Sequence, residues 1–407
     1  MPKVLKTIAL LVALIVPASP LRGSSLPAAN ITLGDEVFLR EAWQQLHGRC
    51  IGIITNQTGV TSHLESIVDA VRRNPRICLR AVYAPEHGLR GDRPAGAYVA
   101  SYTDQRTGLP VYSLYGPTRH PTAAMLAGVD VLLFDIQDVG DRAYTYISTM
   151  AYAMQAAKTF KREIWILDRP NPIGGTVEGP VLDPHFQSFV GLYPIAMRHG
   201  MTVGELARLF NDHYGIAAKL RVIAMRGYRH SMLWPETGLQ WVQTSPNIPE
   251  WDTTVVYPAT GLIDNAGINN GTGYTKPFKY AGAYGLDADK LAAALNNRNV
   301  PGVYFRPAYW TPASGFWKDK QLSGVELIVF NPHLFPAVRT ALEILCAVRD
   351  LSPRTLRIDT EALDKDWGTD QVRLGLQKGS APSAILSAWS TGRQAFESLR
   401  REYLLYP

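Results

Sequence analysis

The chain is poor in cysteine, lacks the common catalytic signatures, and has no apolar run long enough to cross a membrane. Its three cysteines, Cys50, Cys78 and Cys346, are an odd number, each set in an apolar segment. That argues against a disulfide scaffold and predicts buried free thiols, with a Cys50–Cys78 bridge as the alternative. There is no G-x-S-x-G elbow, no G-x-x-x-x-G-K-S/T loop, no H-E-x-x-H and no C-x-x-C. Serine-esterase, P-loop and zincin chemistry therefore lack their usual signals. A dinucleotide fingerprint is also missing, because Gly52 lies inside the first apolar run and Gly59 beyond it. Lysine and arginine never form a run that would argue for nucleic acid, and the formal charge of +6 includes Lys3, Lys6 and Arg22 near the amino terminus.

That terminus has the layout of a secretory leader. Lys3 and Lys6 precede the apolar run Ile8 to Val16, and Pro17, Ala18, Ser19 and Pro20 follow. The run falls short of the about 20 apolar residues a membrane helix needs. Residues 1–29 are thus predicted to be a signal peptide and the protein to be secreted or periplasmic, an uncleaved anchor being the weaker alternative.

Beyond the leader, apolar runs end repeatedly in polar loops. Arg49 to Thr55 opens into Asn56-Gln57-Thr58-Gly59, and Leu79 to Tyr83 stops at Pro85 before Glu86 and His87. Val129 to Phe134 gives way to Asp135, Asp138, Asp141 and Arg142, and Glu163 to Leu167 to Asp168 and Asn171. Capping-box spacings at Ser62/Glu65 and Thr202/Glu205 predict helices, and a short helix is expected over 122–127. Residues 91–119 read as one long functional loop. Continuous apolar strands separated by helices predict an α/β fold with a parallel sheet, residues 30–256, followed by a smaller α+β domain, residues 257–407. Right-handed crossovers would bring the strand-end acids to one sheet edge, although some aspartates there are expected to be helix caps.

Carboxylates, tyrosines and planar arginines in one cleft suit glycoside hydrolysis, which needs an acid for the leaving oxygen, a second group for the charged transition state, and flat faces for the sugar. Glu86, directly after an apolar strand, is the leading proton donor. A metal site of His87, Asp135 and Asp138 is the weaker alternative, and no cofactor is expected.

Seven segments carry a more specific signal: G-I-I-T-N-Q-T-G-V (52–60), A-P-E-H-G-L-R-G (84–91), G-L-P-V-Y-S-L-Y-G-P-T-R-H-P-T (108–122), D-V-L-L-F-D-I-Q-D-V-G-D-R-A-Y-T-Y-I-S-T-M (130–150), L-D-R-P-N-P-I-G-G (167–175), V-E-G-P-V-L-D (177–183) and S-F-V-G-L-Y-P-I-A-M-R-H-G-M-T-V-G-E-L-A (188–207). Together they resemble the exo-β-N-acetylmuramidases of the NamZ type. The resemblance implies a Rossmann-like domain beside a smaller one, and release of N-acetylmuramic acid from the non-reducing end of peptidoglycan fragments. It also implies Glu86 as the catalytic glutamate, grouped with His87, Asp135 and Glu178. Asn56, Arg90, Tyr115, Asp138, Arg142, Tyr144, Asp168, Asn171 and Asp264 are expected to bind substrate. Where the family carries E-G-T-N and G-R-G-T, this chain has Asp264-Asn265-Ala266-Gly267 and Gly271-Thr272-Gly273-Tyr274. The alternative function is a wall-fragment binding protein without catalysis.

Overall fold

A computed structural model describes residues 30–407, so the predicted signal peptide, residues 1–29, lies outside the described residues. The chain enters on a short helix α1 (Gly34–Val37), then β1 (Cys50–Thr55), α2 (Ile67–Arg72), β2 (Cys78–Ala84), β3 (Tyr102–Thr103) and β4 (Pro110–Ser113). Next come β5 (Val131–Asp135), α3 (Tyr146–Thr159), β6 (Glu163–Leu167), the ribbon β7 (Glu178–Val181) and β8 (Ala196–Arg198), α4 (Val203–Asp212) and β9 (Lys219–Ile223). Among the described residues the main sheet has the order β3-β4-β2-β1-β5-β6-β9, and every pairing in it is parallel except β3 with β4.

Side chains of these strands alternate between two cores, as the period of two requires. Leu132 and Phe134 of β5 bury with Met150 and Met154 of α3. Val131 and Leu133 face the other way, against Ile67 and Val71 of α2. With both faces covered, nearly every strand position is apolar, which is why the runs look continuous in the sequence. Truncating Leu133, which has no exposed surface, to Ala is expected to cost about 2–5 kcal/mol.

Helix α5 (Trp251–Thr260) leads into a second lobe, which runs through β10 (Tyr280–Ala283), α6 (Ala288–Asn296), β11 (Val303–Trp310), β12 (Leu322–Val329) and α7 (Ala337–Leu351). It closes on α8 (Thr360–Trp367), α9 (Gln371–Gln377), α10 (Pro382–Ala388) and α11 (Ser390–Arg400). Its sheet is antiparallel, β10-β12-β11. Leu291, Phe305 and Leu342 of this lobe join the same buried cluster as Phe134, so one apolar core continues between the lobes.

Several expectations need correction. Cys50 and Cys78 are not free thiols: parallel register sets them side by side at the starts of β1 and β2, with Cα atoms 4.5 Å apart, and they form a disulfide. Closing a loop with a separation of 28 residues contributes roughly 3–4 kcal/mol by chain entropy. Cys346 is free and buried. The Ser62/Glu65 pair caps nothing, since Ser62 donates to Glu36 at 2.6 Å and the helix starts after Ser66. Residues 122–127 form turns rather than a helix. The segment 91–119 is not one loop, because β4 extends the sheet beside β2. Thr202 does cap α4 with Glu205, as its spacing predicts.

Candidate active site

Pro85, with no N–H to continue the ladder, ends β2, and the chain turns through Glu86 to Gly91. His87 takes a left-handed conformation, φ +69°, a strained choice for a residue with a side chain. Gly91 takes φ +70°, which suits glycine, and a Cβ on it would lie 2.2 Å from the Gln57 side chain, which itself reaches to the Gln243 carbonyl at 2.8 Å. The strained turn sets Glu86 half-buried at the mouth of a cleft of about 550 Å³ between the lobes.

Each oxygen of Glu86 has a donor. Oε1 accepts from the Gly96 N–H at 2.8 Å, and Oε2 from the Thr145 hydroxyl at 3.2 Å. The Tyr115 phenol faces the same carboxyl; burial, then the Glu86 charge, push it up to about 12, so it stays protonated at neutral pH. Buried His87 has Nδ1 2.8 Å from the Arg93 carbonyl. A carbonyl only accepts, so Nδ1 is the donor in this contact and the ring is held by it.

The cleft walls are aromatic. Tyr144 meets Tyr146 edge to face at 4.9 Å and Tyr257 at 5.8 Å, and Tyr257 meets Phe278 at 4.9 Å. Thr244 fixes the two N-lobe phenols, taking Tyr144 on its hydroxyl at 2.8 Å and Tyr146 on its carbonyl at 2.6 Å. Phe189 and Tyr115 form a second aromatic group, 6.2 Å apart.

Asp366, on α8 of the second lobe, is the other carboxyl lining this cleft among the described residues, and sequence reasoning missed it. Burial, then the Asp264 charge, push it up to about 7, while Asn265 donates to it at 2.6 Å. Its backbone is tied to the first lobe by Arg142, whose guanidinium donates to the carbonyls of Asp366 at 3.2 Å and Trp367 at 2.7 Å. The same group holds the carbonyls of Pro180 and Ile195 at 3.0 and 3.1 Å. Burial draws Arg142 down to about 10, still cationic at neutral pH.

Of the residues named from the sequence, the cleft thus gathers Glu86, His87, Tyr115 and Tyr144. The others sit elsewhere, which corrects the expectation that the strand-end acids line one hollow. Asp135 is fully buried, bonded through Oδ1 to Arg169 at 2.6 Å, and Asp35 holds the same guanidinium at 3.0 Å. Asp138 accepts from the Gly140 N–H at 2.7 Å, and burial pushes it up to about 7. Asp168 caps α4, accepting from Gly204 N–H at 2.7 Å, Thr202 at 2.8 Å and Tyr406 at 2.6 Å.

Asn171 receives the Ile173 N–H at 3.1 Å and donates to the Met201 carbonyl at 3.1 Å. Asn56 is buried and spends its carbonyl on Thr58. Arg90 points to Asp104 at 2.8 Å. Glu178 pairs with Arg198, accepts from the Val338 N–H at 3.1 Å, and lines a different hollow. Asp264 is exposed and lines the hollow that holds Thr272, adjoining the cleft through Asn265. Arg142, expected to meet substrate, is a structural clamp. His87, Asp135 and Asp138 do not come together; among the described residues no three His, Cys, Asp or Glu side chains converge as around a metal ion.

The chain matches two family models, the N-terminal model of exo-beta-N-acetylmuramidase NamZ over residues 51–252 and its C-terminal model over residues 255–406. It is 45% identical over 379 residues to the peptidoglycan beta-N-acetylmuramidase NamZ of Bacillus subtilis (strain 168), covering 93% of this chain and 92% of that protein. Two crystal structures of DUF1343 family proteins from Bacteroides fragilis NCTC 9343 share the fold. One has a TM-score of 0.88 at 37% identity, covering 94% of this chain and 100% of that one. The other has a TM-score of 0.74 at 28% identity, covering 92% and 99%. With matched models spanning nearly all the described residues, this chain belongs to the exo-beta-N-acetylmuramidase NamZ family.

Proposed function

We propose that the protein is an exo-acting glycoside hydrolase that releases N-acetylmuramic acid from the non-reducing end of peptidoglycan fragments. The observation that carries this reading is that Glu86 from one lobe and Asp366 from the other line one and the same cleft, together with aromatic side chains. In this reading the catalytic lobe spans residues 30–256 and the smaller lobe 257–407.

Glu86 donates its proton to the glycosidic oxygen as the bond to the anomeric carbon breaks, and the leaving sugar departs as an alcohol. Thr145 and the Gly96 N–H hold the carboxyl in place for that transfer. Asp366 faces the positive charge that develops on the ring, or activates the water that attacks it. Tyr144, Tyr257 and Phe278 offer flat apolar faces to the sugar and keep bulk water from the reacting carbon. An exported location agrees with the leader read in residues 1–29, and the Cys50–Cys78 disulfide supports it, since such bonds persist in oxidising compartments.

The test is incubation with a chromogenic β-N-acetylmuramide and with fragments ending in N-acetylmuramic acid. Release of the terminal sugar is expected. Saturable binding with no product would favour the binding-protein reading instead.

A further inference from the structure

The geometry points to Arg119 as the residue that selects N-acetylmuramic acid over N-acetylglucosamine, by pairing with the lactyl carboxylate that only the former carries. This inference rests on the muramidase reading and sharpens it. The two sugars differ solely in the lactyl ether at O3, so discrimination requires a cation in the cleft that is free to meet an anion.

Two side chains with permanent positive charge line the cleft, Arg119 and Lys365. Lys365 pairs with Glu361 one turn away on its own helix, and its single ammonium lacks the fork that matches a carboxylate. The Arg119 guanidinium, among the described residues, forms no ion pair and no hydrogen bond to protein. Stacking holds it instead. Its guanidinium carbon sits 4.0 Å from the centre of the Phe189 ring and 6.0 Å from that of Tyr115. Phe189 is in turn stacked on Tyr152 at 5.8 Å, which stiffens the support.

A guanidinium seated over an aromatic ring spends none of its N–H groups on a protein acceptor, which leaves them for a two-pronged bond to a carboxylate. Ser188, next to Phe189 in the chain, lines the same cleft, and its buried hydroxyl has no protein partner, so a second donor is at hand. The placement relative to the chemistry is also right. Tyr115 neighbours both: the Arg119 guanidinium carbon is 6.0 Å from its ring centre, and its phenol faces the Glu86 carboxyl. A sugar with its glycosidic oxygen at Glu86 would therefore direct a substituent on the far side of the ring toward Arg119.

The experiment compares wild type, Arg119→Gln and Arg119→Lys on three chromogenic substrates: the β-N-acetylmuramide, its lactyl methyl ester and the β-N-acetylglucosaminide. Wild type is expected to prefer the free acid over both others. Arg119→Gln should raise KM for the free acid about 10- to 100-fold, with a smaller change in kcat, and leave the ester and the glucosaminide nearly unaffected. Arg119→Lys should recover only part of the preference, because it keeps the charge and loses the fork. Unchanged thermal unfolding of both variants separates this from misfolding.

Retention of the full preference by Arg119→Gln would overturn the inference. Should wild type cleave none of the three, the muramidase reading fails. Calorimetric binding of free N-acetylmuramic acid and N-acetylglucosamine still tests Arg119 in that event: equal affinity of wild type and Arg119→Gln for the acid sugar would overturn it.

Discussion

The loops that follow β2 and β5 leave the same edge of the same sheet, on either side of β1, and both present carboxyls, yet the two regions do opposite work. After β5, the Asp135 carboxyl meets Arg169, and Asp138 turns back onto the Gly140 N–H. Their charge is spent inside the protein. After β2, Pro85 and the left-handed His87 swing Glu86 out to the cleft, where its two hydrogen bonds come from Gly96 and Thr145 and its neighbours are aromatic. A strand-end position brings an acid to the right edge. Whether it can act there depends on how fully its neighbours consume it.

Exchanging carboxylates for amides should make this contrast measurable. Glu86→Gln, at the open end, is expected to lower sugar release about 10²- to 10⁴-fold and leave unfolding within about 1 kcal/mol of wild type. Asp135→Asn inverts that outcome. It removes a partner from a buried ion pair and should cost about 3–5 kcal/mol in denaturant unfolding, with turnover per folded molecule near that of wild type. Asp366→Asn tests whether the second lobe supplies chemistry, and a loss of about 10- to 100-fold in kcat is expected, with KM changed less.

The smallest effect is one of pH. Asp366 is pushed up to about 7, so if it acts ionised, activity should fall as pH drops through that region. The Asp264 charge helps hold it there, so Asp264→Asn should lower the Asp366 pKa and carry the acid limb of the kcat/KM profile to lower pH. The same shift in a stability profile has a definite sign. A carboxyl with a folded pKa above its unfolded value contributes stability below the unfolded value, and that contribution is lost as pH rises toward 7.

Much of the fold could be read from the chain because its strands are covered on both faces: Ile51 to Thr55, Leu132 to Phe134 and Ile164 to Leu167 leave no polar face to interrupt the apolar run. Thr202 and Glu205 announced α4 by local bonding alone. Strand β4 escaped because four residues beginning with a proline carry too little periodicity to stand out among glycines and tyrosines. The disulfide escaped for a different reason. Its formation depends on parallel register between Cys50 and Cys78, a property of two strands rather than one. Within the site, Glu86 could be found because an acid and a histidine follow a strand that stops at proline. Asp366 could not, since Asp364-Lys365-Asp366 looks like any solvated helical turn until Arg142 draws α8 against the first lobe.

Turnover per folded molecule across one carboxamide series, with single changes at Glu86, Asp135, Asp138, Asp168 and Asp366, puts the division of labour to its sharpest test. The account predicts losses at Glu86 and Asp366 and near-wild-type turnover at the other three, whatever their unfolding costs. Undiminished sugar release by Glu86→Gln, or a deeper loss at Asp135 or Asp138 than at Glu86, would contradict it.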